Sequence, residues 1–279
     1  MQPSLPAVGT DLTNKLARLQ ELLQTYRQAD GKACIAFSGG VDSTLLLRVA
    51  CDTLGPENVM ALHAVSCLIP EHDLNKAERL VSGPDGIGCS YRAVKVQPLR
   101  WREFVANTEQ RCYFCKKRIY SALQTEMRQG GHPAPLLDGT NTDDLLEHRP
   151  GLLAIQELSV RTPLAQARFN KKDIRSLARE LGLTNWNQPS NSCLATRIAV
   201  HQKITRALLE RIAQAEQFLQ NKGFMGCRVK PEQHSVAVQV MTSDLEKFVA
   251  ESSRPEITEY FESRGFNKVL LDIQGRDKF

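Results

Sequence analysis

One six-residue stretch restricts the fold of this chain more than any other feature: Ser38-Gly39-Gly40-Val41-Asp42-Ser43. It follows a short continuous apolar run, Ala33 to Phe37, and precedes helical spacing from Asp42 to Leu54 that stops at Gly55-Pro56. A strand, a glycine turn and a helix in that order make an anion cradle. The two glycines let the backbone approach a ligand without Cβ obstruction. The helix start turns its unpaired N–H groups and positive dipole end toward the loop. Ser38 and Ser43 add hydroxyl donors. Asp42 is an odd choice beside an anion unless it orients the loop or helps hold Mg2+ at the phosphates. The Walker arrangement, Gly-x-x-x-x-Gly-Lys-Ser/Thr, is absent.

The same strand–helix alternation runs on through the first half. Pro3 to Thr10 reads as a loose tail, and Asp11 to Ala29 carries leucines at amphipathic helical spacing. Val59 to Val65 and Tyr91 to Val96 read as strands, Glu71 to Val81 and Arg111 to Gln129 as helices, and Leu136 to Asp138 as a fourth buried strand. Such alternation predicts an α/β fold, a mainly parallel sheet with helices on both faces and ligands at the carboxyl ends of the strands. Asp138-Gly139-Thr140-Asn141-Thr142-Asp143-Asp144 falls at one such end and suits Mg2+ or ribose contacts, or a capped helix start. Beyond Asn170 the pattern changes. Helices are expected at Lys171–Leu181 and Thr205–Lys222, a strand pair at Met225–Lys230 and Ser235–Val240, then further helices and a last strand at Lys268–Ile273. This predicts a first domain over 1–199 and a smaller C-terminal α+β domain over 200–279.

With 42% hydrophobic and 24% charged residues, 279 residues can bury a sizeable core. The net charge of +5 suits polyphosphate ligands and does not demand nucleic acid. Without a secretory leader or a bilayer-length apolar run, the expected location is cytoplasmic, with no membrane partner. The eight cysteines are then expected to stay reduced. Cys34, Cys51, Cys67, Cys89 and Cys227 fall in or beside strand and helix patterns and read as small buried hydrophobes. Cys112-Tyr113-Phe114-Cys115 can chelate a metal, close a redox disulfide or sit as two helix cysteines. Cys193 lies in a polar, Pro-interrupted segment, Pro189-Ser190-Asn191-Ser192-Cys193-Leu194-Ala195-Thr196-Arg197, where Arg197 would favour a thiolate. Three thiols are one short of a structural zinc site. On a cubane they would leave one iron open to an exogenous sulfide. Trp101 could stack on a nucleotide ring or pack in the core.

The Ser38–Ser43 motif resembles the SGGxDS signature of PP-loop ATP pyrophosphatases at every defined position. That resemblance implies a loop holding the β,γ-phosphates of ATP, attack of a substrate oxygen on the α-phosphorus, and an adenine pocket lined by Val65 and Ser66. Gly139, Asn141 and Asp144 join Ser38 to Ser43 as the implied nucleotide and Mg2+ contacts. Together with Arg111-Cys112-Tyr113-Phe114-Cys115-Lys116-Lys117 and the Cys193 segment, the motif resembles the LarE family over about Leu16 to Gln274. These are ATP-dependent sulfur transferases acting on a pyridinium-dicarboxylate mononucleotide. The resemblance implies Cys193, Asp42 and Arg228 as catalytic residues. It implies Trp101, Arg197, Glu216, Arg228 and Lys230 as substrate contacts, and Cys112, Cys115 and Cys193 as ligands of a [4Fe–4S] cluster. In the other branch of the family Cys193 itself is the sacrificed sulfur donor. Where the family offers Arg-x-Arg and a nearby Glu, this chain has Arg228-Val229-Lys230 and Gln239; Lys keeps the charge but loses the bidentate fork. Implied partners are the small nucleotide-like substrate, sulfide or another sulfur donor, and further copies of the chain in a homo-oligomer. Competing readings are tRNA thiolation, amide formation of the NAD or GMP synthetase type, and a non-enzymatic ATP-binding regulatory domain.

Overall fold

The computed structural model describes residues 10–26, 32–132, 135–147 and 150–277. The expected tail up to Gly9 and the end of the first helix (27–29) lie outside the described residues, and Thr10, expected in the tail, opens the first helix instead. The helices are α1 (Thr10–Tyr26), α2 (Val41–Leu54), α3 (Glu71–Ser82), α4 (Arg102–Val105), α5 (Arg111–Gln129), α6 (Thr142–Leu146), α7 (Pro150–Glu157), α8 (Pro163–Gln166), α9 (Lys171–Glu180), α10 (Arg206–Asn221), α11 (Leu245–Val249) and α12 (Arg254–Ser263). The strands are β1 (Ala33–Ala36), β2 (Val59–Val65), β3 (Ser90–Lys95), β4 (Leu137–Asp138), β5 (Arg228–Glu232), β6 (Ser235–Gln239) and β7 (Lys268–Leu271). None of the described helices is long and apolar enough to cross a membrane.

The chain divides into two compact units. The first comprises Met1–Ser66, Glu71–Val96 and Cys112–Gln188; the second comprises Cys67–Pro70, Gln97–Arg111 and Pro189–Phe279.

In the first unit four parallel strands run in the order β3-β2-β1-β4. Side chains of β1 alternate across the sheet, as a period of two requires. Ala33 and Ile35 join the leucines of α1 and α2 and Phe169, Ile174 and Leu177 on one face. Cys34 and Ala36 join Leu62, Tyr120, Leu123 and Ile155 on the other. The chain leaves β1 toward β2 and β3 and later returns to β1's opposite side as β4, so the order reverses between β1 and β4. A crevice at the carboxyl ends of two such strands is where open α/β sheets bind ligands. The loops leaving β1 and β4 are Phe37 to Gly40 and Gly139 to Asn141.

The second unit carries β5 antiparallel to β6, with β7 parallel to β6. Its core gathers Leu219, Phe224, Val229, Val236, Val238, Phe248, Ile257 and Phe261 from β5, β6, α10, α11 and α12. The apolar pattern predicts the first strand of this sheet from Met225. It starts at Arg228 instead, because Gly226 takes φ +72° and closes a turn that leaves Met225 49% exposed.

Leu45, wholly buried in α2, tests the packing beneath the phosphate loop. Leu45→Ala is expected to cost about 2–5 kcal/mol, read as a lower urea midpoint at unchanged slope. A loss below about 1 kcal/mol would mean that α2 is not anchored by this core.

Candidate active site

The Ser38–Ser43 loop is built as the motif requires. Gly39 has φ +77°, and a Cβ there would lie 2.7 Å from the Ala77 Cβ of α3. Only glycine serves both needs. The Ser43 hydroxyl donates to the Gly40 carbonyl at 3.0 Å and accepts from the Ser38 N–H at 3.2 Å. The Ser38 and Ser43 hydroxyls lie 3.1 Å apart. Gly40 is the N-cap of α2, and no side chain caps that end. The first amides of a fourteen-residue helix are thus left for an anion.

The β4 loop comes up against this helix start. A Cβ on Gly139 would sit 2.9 Å from the Ser43 nitrogen, so glycine is needed for the approach. Asp138 is saturated: it accepts from the Tyr120 hydroxyl, the Thr140 hydroxyl and, at 2.8 Å, the Thr140 N–H. Asn141 caps α6, accepting from the Asp143 and Asp144 amides at 3.0 and 3.1 Å, while Asp144 accepts from the Asn141 N–H at 3.2 Å. The Asn141 carboxamide nitrogen remains buried and unpartnered. Lys171 Nζ lies 3.6 Å from Asp144.

Asp42 is the unsettled group of this unit. Its Oδ1 is buried with no hydrogen-bond partner. Burial first, and then the charge of Asp144, push its carboxyl up to about 6, against the pull of Lys171 and Arg175. A carboxylate oxygen orphaned beside an anion cradle fits one ligand to Mg2+, an ion that takes its remaining ligands from phosphates and water. Val65 and Ser66 are half-buried at the carboxyl end of β2.

Sequence reasoning missed Asn185. Its buried carboxamide donates to the Gly39 carbonyl at 3.1 Å and to the Thr44 hydroxyl at 2.9 Å, bracing the loop from behind. Arg175 holds that segment by donating to the Trp186 and Gln188 carbonyls at 2.8 and 2.9 Å. Asn-Trp-Asn in a turn carries no local signal of such a role.

In the second unit Arg197 organises the loop around Cys193. It is 3% exposed and grips Glu216 with two donors, Nε at 2.7 Å and a terminal nitrogen at 3.2 Å. Its other donors reach the Ser192 hydroxyl at 2.6 Å, the Thr196 hydroxyl at 2.8 Å and the Asn191 side chain at 3.1 Å. Glu216 also accepts from the Val229 N–H at 3.0 Å. Both are implied as substrate contacts by the family resemblance; in the structure their polar atoms serve one another and the loop. Cys193 precedes the single turn Leu194–Arg197 and is half-exposed. The loop is pinned by Leu194 N–H to the Leu68 carbonyl at 3.0 Å and by Arg111 to the Ala195 carbonyl at 2.9 Å.

Arg228 and Lys230 share one face of β5, both half-exposed. Arg228 Nε is buried and unpartnered, and its guanidinium is pushed down to about 10 by burial and then by Arg276 and Arg197. Arg276, another residue that sequence reasoning missed, donates to the Gly226 carbonyl and, at 2.9 Å, to the Ser190 carbonyl. Three guanidiniums around one buried carboxylate leave positive charge that an oxyanion would relieve. Gln239 donates to Asp272, whose carboxyl that bond holds below the usual range. Trp101 is half-buried, edge-on to Phe104 at 6.5 Å.

Cys112 and Cys115 stand one turn apart on α5, the former exposed and the latter half-buried, and both belong to the first unit. Neither they nor Cys193 is engaged in a disulfide. Among the described residues no group of three or more His, Cys, Asp or Glu is arranged to hold a metal ion.

Arg197→Ala would strand Glu216 as a buried charge without its counter-ion. A loss of about 3–5 kcal/mol in chemical denaturation is expected. Replacing both residues by apolar ones of similar volume should recover much of it. A single-variant loss below about 1 kcal/mol would return Arg197 to the pool of substrate-binding groups.

A family model described as NAD synthase covers residues 14–113. An uncharacterized protein of Synechocystis sp. is 36% identical over 260 residues, 93% of this chain and 94% of that one. The pyridinium-3,5-bisthiocarboxylic acid mononucleotide synthase of Lactiplantibacillus plantarum is 33% identical over 244 residues, 88% of this chain and 86% of that enzyme. The NH(3)-dependent NAD(+) synthetase of Methanopyrus kandleri is 30% identical over only 92 residues, 32% of this chain. Likeness to the amide-forming enzyme thus stops at a third of the chain, whereas likeness to the synthase runs through both units. The chain belongs to the LarE family, ATP-dependent sulfur transferases of the PP-loop ATP pyrophosphatase superfamily.

Proposed function

We propose that this enzyme adenylates a carboxylate of pyridinium-3,5-dicarboxylate mononucleotide, releases pyrophosphate and replaces the carboxylate oxygen by sulfur. The observation that carries the reading is the conjunction of an uncapped α2 start beside orphaned Asp42 with a reduced, half-exposed Cys193 on a braced loop. The α2 amides and the Ser38 and Ser43 hydroxyls bind the β,γ-phosphates. Asp42 is a ligand of Mg2+, which when bound neutralises phosphate charge as pyrophosphate departs. Asn141 Nδ2, buried without a partner, donates to the nucleotide. Arg228, Lys230 and Arg276 hold the substrate phosphate, with Lys230 acting as a point charge. Trp101 offers a ring face to the pyridinium.

The step that this chain's own residues supply runs through Cys193. Its thiolate attacks the acyl-adenylate carbon, AMP leaves, and a thioester forms. Removal of the Cys193 Cα proton then breaks the Cβ–S bond, giving the thiocarboxylate and dehydroalanine at position 193. A [4Fe–4S] cluster on Cys112, Cys115 and Cys193 is the second reading: it would supply a transferable sulfide and spare the cysteine. The reduced state of these three thiols and their solvent access, full at Cys112 and partial at Cys115 and Cys193, favour it; no grouped ligand set supports it among the described residues. Assembly as a homo-oligomer and a cytoplasmic location belong to the same proposal.

Cys193→Ser is expected to retain ATP-dependent pyrophosphate release and to lose all thiocarboxylate. Iron and labile sulfide after anaerobic reconstitution, with the mass of the Cys193 peptide after turnover, divide the routes. About four irons with an intact Cys193 favours the cluster; no iron and loss of the elements of hydrogen sulfide from Cys193 favours sacrifice. Pyrophosphate release that also vanishes in Cys193→Ser, in a folded variant, would overturn the assignment of Cys193 to the second half-reaction.

Asp42 adds a pH signature. With its native carboxyl at about 6 against an ordinary 3.8, the free protein binds this proton more tightly than the unfolded chain does. Ionisation as pH rises through that window therefore lowers native stability, and Mg2+ at the site offsets the loss. Binding of Mg·ATP should weaken by up to about tenfold per pH unit below pH ~6, as measured by calorimetric titration. Asp42→Asn should bind more weakly with the slope removed; a variant that keeps the slope would clear Asp42 of this role.

A further inference from the structure

Asn185 spends both amide hydrogens on the phosphate loop and its helix. The side chain, 7% exposed, donates to the Gly39 carbonyl at 3.1 Å and to the Thr44 hydroxyl at 2.9 Å. Thr44 passes the contact on, because its hydroxyl donates in turn to the Gly40 carbonyl at 2.9 Å. Asn185 Oδ1, by contrast, is buried and has no hydrogen-bond partner among the described residues. Leaving a buried acceptor unpaired costs free energy, so the value of this carboxamide lies in its donors. Arg175 fixes where they point by holding the Trp186 and Gln188 carbonyls just beyond it.

Those donors set which way two peptides face. The Gly39–Gly40 peptide is trans, so its carbonyl and its N–H point to opposite sides. With the Gly39 carbonyl held by Asn185, the Gly40 N–H turns the other way, toward the Ser38 hydroxyl at 3.4 Å. The Gly40 carbonyl is held by Thr44, which turns the Val41 N–H, the first amide of α2, away from it in the same manner. Glycine stands on both sides of the first peptide, and Gly39 already has φ +77°. Side-chain sterics therefore do not choose its orientation. Turned over, that peptide would present a carbonyl to an anion in place of an N–H donor, and attraction would become repulsion.

We propose that Asn185 is a positioning residue of the phosphate loop. It acts on the Gly39 carbonyl directly and on the Gly40 carbonyl by way of Thr44, locking both peptides with their N–H groups toward the departing pyrophosphate. The role presupposes that this loop is the β,γ-phosphate site, and it gives Asn185 no contact with ATP itself. Its effect falls on the phosphates that the loop holds and spares a ligand that lacks them, such as AMP.

Calorimetric titration of the full chain with inorganic pyrophosphate in the presence of Mg2+, and separately with AMP, reads that division. Asn185→Leu, close in size and without donors, should weaken pyrophosphate by about tenfold or more and change AMP by less than about twofold. Thr44→Val keeps the shape and loses the hydroxyl, so it should weaken pyrophosphate as well, and Thr44→Ser should restore most of the affinity. Unchanged pyrophosphate affinity in folded Asn185→Leu overturns the inference. An equal loss of both ligands does so too, being the mark of packing alone. Should Asn185→Leu fail to fold, the threonine pair decides, and equal pyrophosphate affinity in Thr44→Val and Thr44→Ser overturns it. Unsubstituted protein that binds no pyrophosphate would instead remove the phosphate-loop reading, and this role with it.

Discussion

Backbone packs against backbone around Ser38–Ser43, and the rest of the first unit depends on that contact. Gly39 meets α3 at Ala77, Gly139 meets the Ser43 amide, and Asn185 closes the third side by donating to the Gly39 carbonyl. Each approach is too close for a side chain or requires one particular donor. The loop therefore cannot relax onto its own amides, and the α2 start stays uncapped. An anion site is a helix end denied its usual partners. The fold supplies the denial by bringing β4 back beside β1, where the strand order reverses.

The second unit handles charge in the opposite manner. Arg197 and Glu216 neutralise one another out of water, and the guanidinium spreads its remaining donors over Asn191, Ser192 and Thr196. Such a pair adds little net stability against an apolar isostere, because desolvation offsets the attraction. What it adds is a fixed course for the chain on either side of Cys193. Arg228 is left with its Nε unpartnered and with like charges near it. The same unit thus commits one arginine to geometry and leaves another with a buried donor unspent, a division that no count of basic residues reveals.

How far the sequence could be read follows from which forces are local. Arg111–Gln129 and Val59–Val65 match their expected bounds, since apolar period and chain breakers act within a few residues. The phosphate loop was legible for the same reason, its glycines, serines and aspartate being adjacent in sequence. The Asn-x-x-Asp caps at Asn141 and Asn170 are also local. β5 was misplaced because Cys227 and Met225 continue an apolar pattern that the backbone turn at Gly226 interrupts. α7 escaped notice: it opens on Pro150, and proline is easily taken for a stop when it is also a good first helical residue. Asn185, Tyr120 and Arg276 were illegible on other grounds. Each acts on partners well outside its own neighbourhood in sequence, and nothing local marks it.

The cysteines carry this furthest, because spacing and environment sort them differently. A chain that transfers sulfur is best served when its spare thiols stay unreactive, and desolvation keeps two of them so. Burial pushes the Cys34 and Cys227 thiols up to about 12. At neutral pH that leaves roughly one molecule in 10^5 as thiolate at each position. The thiols left accessible are those at Cys112, Cys115 and Cys193, which the motifs mark, and at Cys67 and Cys89, which no motif marks. Cys67 is raised by burial although Arg206 opposes the shift, so its surroundings quiet it as they do the core thiols. Cys89 is lowered, and among the unmarked cysteines only its surroundings favour the thiolate. Sequence pattern marks Cys112, Cys115 and Cys193; the dielectric and the donors around each sulfur decide which of the others can react at all.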